Sequence, residues 1–481
     1  MPQSRNPMNV SFLQELMTTV AEQGRALLPK GLLGGTESED IETLAQALIS
    51  SRGEAAGVAI ARQVLNLYRQ FDNDKKRDFF TFLGERMQPD QTAVTAAAGT
   101  YLQAPGPLEL ARLQKAVESP RQEFFRRLNL APGATAGIVA MRRDLLSMSR
   151  GDPMLKLVDD DLKHLLYSWF NRGFLVLRRI DWQTPAVILE KIIAYEAVHQ
   201  IQGWDDLRRR LDPKDRRCFA FFHPALIDEP LIFVEVALTS EISDAIGPLL
   251  SEAPKDDAIE NPTTAVFYSI SNCQEGLKGI TFGNFLIKQV VEDLVRELPS
   301  LKTFVTLSPV PTFARWLASA EGKADADAIL SDDEKAAMAL IERRRWHTKE
   351  RAAAALETPL MALAANYFLA AKSADGKPVD PVARFHLGNG ALLERINFLG
   401  DVSSKGIDQA HGLMVNYRYN LKEIEKNHEA FVNQGTVATS RQVRGLLRPR
   451  DKTVAREPEA RPVLALTVDK KQPGGDNKHD A

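Results

Sequence analysis

The chain has 481 residues, of which 44% are hydrophobic and 26% are charged, and its formal net charge at pH 7 is −2. This length is too great for one ordinary hydrophobic core, so we expect two or more domains of a globular protein. The near-neutral charge excludes a general attraction to nucleic acid or to anionic membranes, and a polyanionic ligand must therefore be bound by a local basic site.

The first third of the sequence predicts an all-helical bundle domain over residues 1–172. Ser119, Pro120 and Gln122 together predict a capping box with proline at the first helical position. Arg142 and Arg143 are most simply residues of a solvated helix face. Apolar residues at helical spacing predict helices over residues 12–28, 41–50, 54–71, 75–87, 91–103, 107–117, 120–128, 134–149 and 153–171. No metal-ligand spacing or catalytic constellation is seen in this part, so we expect it to pack against the rest of the chain or against another subunit.

The middle of the chain changes to the period of β-strands. After helical stretches within residues 181–199 and 204–211, β-rich runs at 218–222 and 231–239 predict a hairpin. We expect His223, beside a proline in the connecting turn, to make structural hydrogen bonds. Glu235 is expected on the less buried face of its strand.

Residues 265–307 predict one βαβ unit. An apolar strand at 265–271 and a β-branched strand at 303–307 flank an amphipathic helix between Phe285 and Leu298. The loop before this helix, Lys278 to Asn284, contains a lysine and two glycines. Helix N-termini bind phosphates readily, and glycines allow close approach of the backbone. The same glycines are also typical of an ordinary strand-to-helix turn, so the loop alone leaves both interpretations open.

Ser308 follows the second strand of this unit, at the sheet edge where open α/β sheets bind ligands. Because Pro309 comes next, Ser308 is equally typical of a helix N-cap, and this structural interpretation is the stronger one from the residues alone.

A helical insertion is predicted at about residues 321–380. Ser331 and Glu334 form a capping box, and a long helix at 351–371 contains Pro359 as a kink. Sheet character returns at 382–387, a predicted strand that carries His386. Residues 441–481 are rich in proline and charge and predict a poorly ordered tail.

Several long segments resemble the malonyl-CoA decarboxylase family, namely YSISNCQEGLKGITFGNFLIK, LSPVPTFARWL and ARFHLGNGALLERINFLGDVSSKGIDQAHGLMVNYRYNL. The resemblance continues more weakly through the helical part and covers nearly the whole chain up to about residue 430. It implies an α + α/β architecture in which residues 173–440 form an acetyltransferase-like mixed-sheet α/β domain with a helical insertion.

The resemblance also implies roles for particular residues. In the family pattern the serine of LSP and the histidine of FHLGNGA are catalytic partners, which correspond to Ser308 and His386 here. Ser269 and Tyr419 are candidates for further substrate contacts. Thr281 stands where some relatives have an acidic residue, so it receives no charge-dependent role. The implied binding loop for the CoA pyrophosphate consists of Lys278, Gly279, Ile280, Thr281, Phe282, Gly283 and Asn284.

The implied reaction is decarboxylation of malonyl-CoA to acetyl-CoA and CO₂, as a step of fatty acid metabolism. Ser308 would position the malonyl thioester, and His386, with a pKa near neutrality, would protonate the enolate. No metal or prosthetic group is expected, and malonyl-CoA is the expected partner. The helical part of the family is associated with self-association, which predicts a homo-oligomer, a tetramer or a dimer.

Two other functions stay open. The first is a CoA-dependent N-acyltransferase, for which Glu235 and Glu275 are the candidate bases. The second is a non-catalytic acyl-CoA-binding protein. Release of CO₂ from malonyl-CoA distinguishes the three.

The cysteine content and the targeting signals predict a compartment. Cys218 and Cys273, the two cysteines, are too few for a disulfide framework. No secretory signal, membrane-spanning apolar run or peroxisomal C-terminus is recognised. We therefore expect a cytoplasmic protein without a membrane partner.

Overall fold

The computed structural model describes residues 37–50, 53–251, 261–280, 285–374 and 376–449. Its first part is helical, as predicted, and the predicted helix at residues 12–28 lies outside the described residues. The helices of this part are α1 (Glu37–Ser50), α2 (Glu54–Gln70), α3 (Asn73–Arg86), α4 (Gln91–Gln103), α5 (Pro107–Val117), α6 (Pro120–Leu128), α7 (Ala134–Met148) and α8 (Pro153–Trp169).

The start of α6 differs from the predicted capping box. The helix does begin at Pro120, but the Ser119 hydroxyl donates to the Asp161 carboxylate of α8 at 2.8 Å and makes no cap hydrogen bond. The Gln122 amide donates to the same carboxylate at 2.6 Å. A charged acceptor on a neighbouring helix therefore takes both side chains away from the helix end.

The second part is a mixed eight-stranded sheet with helices around it. Its strands are β1 (Val176–Ile180), β2 (Arg216–Phe222), β3 (Pro230–Thr239), β4 (Thr264–Asn272), β5 (Thr303–Thr306), β6 (Ser308–Pro309), β7 (Leu392–Asn397) and β8 (Met414–Arg418). The strand order is β1-β2-β3-β4-β5-β8-β6, and β7 pairs with β8. The predicted β2–β3 hairpin and parallel β4–β5 pair are both present. This sheet confirms the predicted mixed-sheet α/β domain after a helical part.

The helices of the second part come mostly after β5. They are α9 (Ala186–Tyr195), α10 (Trp204–Leu211), α11 (Gly247–Ser251), α12 (Phe285–Glu297), α13 (Phe313–Ala318), α14 (Ala320–Ile329), α15 (Asp332–Met338), α16 (Glu350–Leu369), α17 (Pro381–Gly388), α18 (Ser404–Ala410), α19 (Ile424–Gln434) and α20 (Arg441–Gly445). The helical insertion is confirmed, and Ser331 and Glu334 form the predicted capping box at the start of α15.

Among the described residues, α16 is the one helix long and apolar enough to cross a membrane, by length and composition alone. Leu356, Leu360, Leu363 and Phe368 of this helix are buried in the protein core. Burial of this kind is typical of a core helix, and the apolar character of α16 is used inside the fold.

The C-terminal segment is ordered further than predicted. Ser440 caps α20 by accepting the Val443 N–H, and the Val443 side chain is fully buried. Residues 441–449 thus belong to the folded body, because a capped helix with an apolar anchor outweighs the charged composition around it. The rest of the predicted tail, residues 450–481, lies outside the described residues.

The helical part and the sheet share one hydrophobic core. A single cluster of buried side chains includes Val139 and Leu162 from the helices, Phe267 from β4, Leu277 from the loop after β4, and Val291 from α12. Because the core is continuous, the helical part is packed against the sheet rather than tethered to it.

Strand β4 contains the irregularity that shapes the site. Its pairing with β3 shifts so that Glu235 faces Ser269 while Val236 faces Phe267, which leaves Tyr268 as an extra residue. Such a bulge reverses the side-chain alternation along the strand. Phe267 and Ile270 therefore share one face, and Ser269 lies on the other.

Candidate functional site

A gap between strands places Ser308 at the edge of a cavity. The β4–β5 ladder ends at Phe267 and Thr306, and Ser308 pairs instead with Val415 of β8. A cavity of about 240 Å³ opens between β4 and Ser308. Ser308 is a strand residue, and the next helix begins only at Phe313. The N-cap interpretation of Ser308 is therefore wrong, because its backbone joins the sheet.

His386 reaches this cavity from a helix rather than from the predicted strand. The buried Asp380 carboxylate accepts the backbone N–H groups of Val382 and Ala383, each at 2.9 Å, and Pro381 occupies the first turn of α17. Aspartate followed by proline is a strong helix-start signal. The strand prediction for residues 382–387 was wrong because it weighed the apolar residues over this signal.

The catalytic candidates form one buried chain of hydrogen bonds. Ser308 Oγ lies 3.2 Å from His386 Nε2, and the Tyr419 hydroxyl lies 2.8 Å from His386 Nδ1. The Ser308 hydroxyl donates to Thr306 Oγ1 at 2.9 Å. With the serine hydrogen used there, Nε2–H donates to Ser308 and the Tyr419 O–H donates to Nδ1. This pattern assigns one tautomer to the histidine.

Burial sets the charge of this group. The pKa of His386 is lowered to about 3, because the imidazolium loses its hydration inside the protein. Burial also raises the pKa of Tyr419 well above its usual range. The imidazole is thus neutral and the phenol protonated at physiological pH, which corrects the expectation of a histidine titrating near neutrality. The Tyr417 ring stacks on the imidazole at 4.6 Å and holds its plane.

The lining of the cavity is mostly apolar. Ser308 and His386 provide hydrogen-bonding groups at one side, and Asn272 lies at another. The apolar walls include Ile232, Val234, Phe267, Ile270, Leu286, Ile287 and Phe385. None of the described residues that line this cavity is acidic, so a substrate carboxylate placed here would meet no repelling charge.

The glycine loop lies between β4 and α12, as predicted. Lys278, Gly279 and Ile280 line a second cavity of about 540 Å³. Gly279 has a φ of +79°, a conformation that favours glycine. Asn272 lines both cavities, which places the loop next to the Ser308 cavity. The remaining predicted loop residues, Thr281, Phe282, Gly283 and Asn284, lie outside the described residues.

Ser269 is not brought to Ser308. Its hydroxyl donates to both Glu196 carboxylate oxygens, at 2.9 and 2.8 Å, and Ser269 is absent from the lining of the Ser308 cavity. Because the bulge at Tyr268 turns it to the opposite face, Ser269 holds Glu196 and lies away from the Ser308 cavity.

The candidate bases for acyl transfer also lie elsewhere. Glu235 is fully buried, which corrects the prediction of a less buried face, and its carboxylate is 3.0 Å from the Arg210 guanidinium. The arginine on α10 explains why a carboxylate is tolerated there. Glu275 lines the 540 Å³ cavity, and neither residue lines the Ser308 cavity. His223 accepts the Ala225 N–H at 3.1 Å, in keeping with the structural role expected for it.

Helix α7 contributes residues that the sequence did not assign to the site. Arg143 and Ser147 line the 540 Å³ cavity together with the loop. Arg142, predicted to be solvated, is 1% exposed and contacts the loop directly. A signal existed: Arg142 is four residues after Ile138 and three before Leu145, both fully buried, so it stands on the apolar face of its helix. Thr306, which accepts the Ser308 hydroxyl, and Tyr417, which stacks on His386, have no sequence pattern that would have assigned them to the site.

Comparison with known proteins decides the family. The profile of the malonyl-CoA decarboxylase C-terminal domain matches residues 173–457, and that of the malonyl-CoA decarboxylase N-terminal domain matches residues 87–170. The chain belongs to the malonyl-CoA decarboxylase family. The family resemblance seen in the sequence is thereby confirmed.

Curated malonyl-CoA decarboxylases agree with this assignment. The mitochondrial malonyl-CoA decarboxylase of Anser anser anser is 38% identical over 349 residues, which are 68% of this chain and 69% of the relative. The mitochondrial enzyme of Rattus norvegicus is 36% identical over 359 residues, 70% of this chain and 73% of the relative.

Solved structures of malonyl-CoA decarboxylases share the fold. The crystal structure from Rhodopseudomonas palustris has a TM-score of 0.80 at 52% identity and covers 85% of this chain and 99% of its own. The structure from Agrobacterium vitis has a TM-score of 0.81 at 53% identity and covers 85% of this chain and 100% of its own.

Proposed function

We propose that this chain decarboxylates malonyl-CoA to acetyl-CoA and CO₂ in the Ser308 cavity. The observation that carries the proposal is the 3.2 Å contact between Ser308 and His386 at the side of an apolar cavity. Family membership supplies the substrate, since the relatives are named malonyl-CoA decarboxylases. CoA would extend past Asn272 toward Lys278 and Gly279, with its phosphates at the start of α12.

The chemistry follows from the mostly apolar lining of the site and from its neutral histidine. Breaking the bond between the methylene and the carboxylate releases CO₂ and leaves the electron pair on the thioester enolate. The Ser308 hydroxyl, turning from Thr306 to the thioester oxygen, stabilises that charge in the transition state. An apolar wall around the carboxylate stabilises it poorly and so favours its departure.

Proton delivery to the methylene carbon is assigned to His386. A thioester enolate is a stronger base than an imidazolate, so a neutral imidazole can give up its Nε2 proton. The Tyr419 hydroxyl at Nδ1 would stabilise the negative charge left on the ring. A proton from solvent restores the imidazole after product release, so one proton is consumed in each turnover.

A heavy-water experiment tests this function. Wild-type protein should release CO₂ from malonyl-CoA without added amine and yield acetyl-CoA with one solvent deuteron on the methyl carbon. His386→Asn should lower the rate by roughly two to four orders of magnitude, the usual size of a general-acid contribution. His411→Asn is the matched control, since His411 is a partly buried histidine that lies outside the cavity, at a positive φ of 50° that asparagine tolerates.

The outcomes separate the three functions. Acylation of an amine without CO₂ release would support the acyltransferase. Tight CoA binding without any turnover would support the non-catalytic binding protein. A His386→Asn variant as active as wild type would remove the assigned role of the histidine.

We further propose that the chain forms a homo-oligomer through helices α4 and α5. These two helices pair with each other, and none of their residues is buried. Leu102 and Leu108 are 79% and 71% exposed, and the sequence of α4 contains no charged residue. Because α4 carries no charge, it would not repel the same helix of a second copy, and the two copies can pack their exposed hairpins against each other.

Light scattering tests the oligomer. Leu102→Glu together with Leu108→Glu should convert a dimer or tetramer to smaller species, while Val432→Glu, at another exposed apolar position, should not. An unchanged mass for the double variant would contradict this interface.

We also propose a cytoplasmic location and a reaction without a metal or prosthetic group. Cys218 and Cys273 are both buried free thiols, which supports a reducing, cytoplasmic location. No metal enters the proposed reaction, and in the described part of the chain no group of three or more His, Cys, Asp or Glu is placed to hold one.

A further inference from the structure

The buried arginine of helix α7 joins the helical part to the glycine loop. Arg142 Nε donates to the Asp159 carboxylate of α8 at 2.8 Å. Its Nη1 donates to the backbone oxygens of Gly276 at 2.6 Å and of Lys278 at 3.0 Å. A buried guanidinium needs acceptors beyond its carboxylate partner, so the loop carbonyls are required to satisfy it.

The loop also touches α7 through its backbone. A Cβ atom at Gly276 would lie 1.9 Å from the Val139 carbonyl oxygen, so only glycine permits this approach. Leu277 is buried in the shared core between the two contacts. Residues 276–278 are thus fixed to the helical part by a hydrogen-bonded side chain, by close backbone packing and by a buried leucine.

Holding the carbonyl of Lys278 orients the next N–H group. In a planar trans peptide the C=O and N–H point in opposite directions. The Lys278 carbonyl points to Arg142, so the Gly279 N–H points away from α7. Among the described residues no acceptor takes this N–H, and Gly279 lines the 540 Å³ cavity.

We infer that Arg142, held by Asp159, is a positioning residue that fixes residues 276–279, where the glycine loop begins, to receive the CoA pyrophosphate. The helical part of the chain then completes the cofactor-binding end of the site, although Arg142 itself touches no substrate atom. This inference rests on the proposed function for its ligand, the anionic pyrophosphate of a CoA thioester.

A pair of substrates isolates this role. Malonyl-pantetheine has the reacting thioester but lacks the phosphates, so it does not depend on the loop. In Arg142→Met and Arg142→Lys, we expect KM for malonyl-CoA to rise roughly 10- to 100-fold, the equivalent of about one lost hydrogen bond to a charged group. We expect kcat to stay within about threefold, a change of under 1 kcal/mol in the barrier, and kcat/KM for malonyl-pantetheine to remain that of wild type. Gly276→Ala, which forces the loop away from Val139, should show the same selective loss.

Arg121→Met is the matched control. Arg121 is likewise a buried arginine of the helical part, paired with Asp161 of α8, and its guanidinium reaches the Gly84 carbonyl rather than the loop. It should lose stability and keep the wild-type preference for malonyl-CoA over malonyl-pantetheine.

Calorimetry with CoA alone separates this inference from the proposed function. A wild-type protein that binds CoA but releases no CO₂ would overturn the reaction, while a weaker CoA affinity in Arg142→Lys would still support the positioning role. Equal losses on both substrates, or an unchanged CoA affinity in a folded Arg142 variant, would overturn the positioning role. If Arg142→Met does not fold, Arg142→Lys and Gly276→Ala decide by the ratio of kcat/KM for malonyl-CoA to kcat/KM for malonyl-pantetheine.

Discussion

Replacing Tyr419 by phenylalanine tests the tautomer of the catalytic histidine. The change removes one hydroxyl, 2.8 Å from His386 Nδ1, and keeps the ring. Tyr419 is 3% exposed, so water has no free access to the vacated position. Nδ1 becomes an unpaired buried acceptor, and the tautomer that carries its hydrogen on Nδ1 is no longer disfavoured.

The magnitude follows from the lost partner. A buried polar atom without a partner costs about 1–3 kcal/mol. If this energy held the active tautomer, its loss lowers kcat by about 5- to 150-fold, since each 1.36 kcal/mol corresponds to tenfold in rate. KM for malonyl-CoA should not change, because Tyr419 contacts the imidazole and does not line the cavity.

Tyr417→Phe is the matched control for the assay of CO₂ release. Tyr417 stacks on the same imidazole, but its buried hydroxyl has no hydrogen-bond partner among the described residues. Removing this hydroxyl should leave kcat unchanged, and it should leave the stability of the fold unchanged or raise it slightly. Nitrogen NMR of labelled histidine should show the tautomer shift in Tyr419→Phe alone. A Tyr419→Phe enzyme with wild-type kcat, or an equal loss in both variants, would refute the assignment.

Three further predictions follow from other features. Because burial lowers the pKa of His411 to about 4, the unfolded state binds a proton below pH 6.5 that the folded state does not bind, and wild type should lose up to about 3 kcal/mol of stability relative to His411→Asn as the pH falls from 6.5 to 4. Urea unfolding measures this difference, and a difference that does not depend on pH would contradict the prediction. Gly279→Ala, strained at a φ of +79°, should raise KM for malonyl-CoA by about tenfold through a misplaced loop, since the left-handed conformation costs roughly 1–2 kcal/mol; calorimetry with CoA should show the same loss. Deleting residues 1–170 should give an aggregating fragment, because the shared core is then exposed, and a soluble, active fragment would show that the helical part is independent.

The sequence predicted the helices and the central strands because their apolar residues repeat with a clear period. It failed where a local signal competed with that pattern. Asp380 and Pro381 mark a helix start, yet the apolar residues around His386 resemble a strand. Ser119 looks like a cap, but a carboxylate 42 positions away along the chain takes its hydroxyl. Such long-range partners are not visible in a local window.

The site was predictable only as separate pieces. Ser308 and His386 are 78 positions apart, and the family pattern alone joined them before their contact was seen. The low pKa of His386 depends on burial by several elements, which no spacing encodes. Ser269 lies away from the Ser308 cavity because one extra residue in β4 reverses the alternation, and a bulge has no signature in this stretch.

The position of β8 has a consequence for how the protein is made. This strand is synthesised late, yet it lies inside the sheet, where Val305 pairs with Arg418 and Ser308 with Val415. A nascent chain therefore carries β5 as an unpaired edge until β8 has left the ribosome, and such edges are prone to aggregate. Tyr419 directly follows β8, so His386 receives its hydrogen-bond partner in the same step that completes the sheet. Translation that stops before this strand yields neither a complete sheet nor the full set of hydrogen bonds around His386.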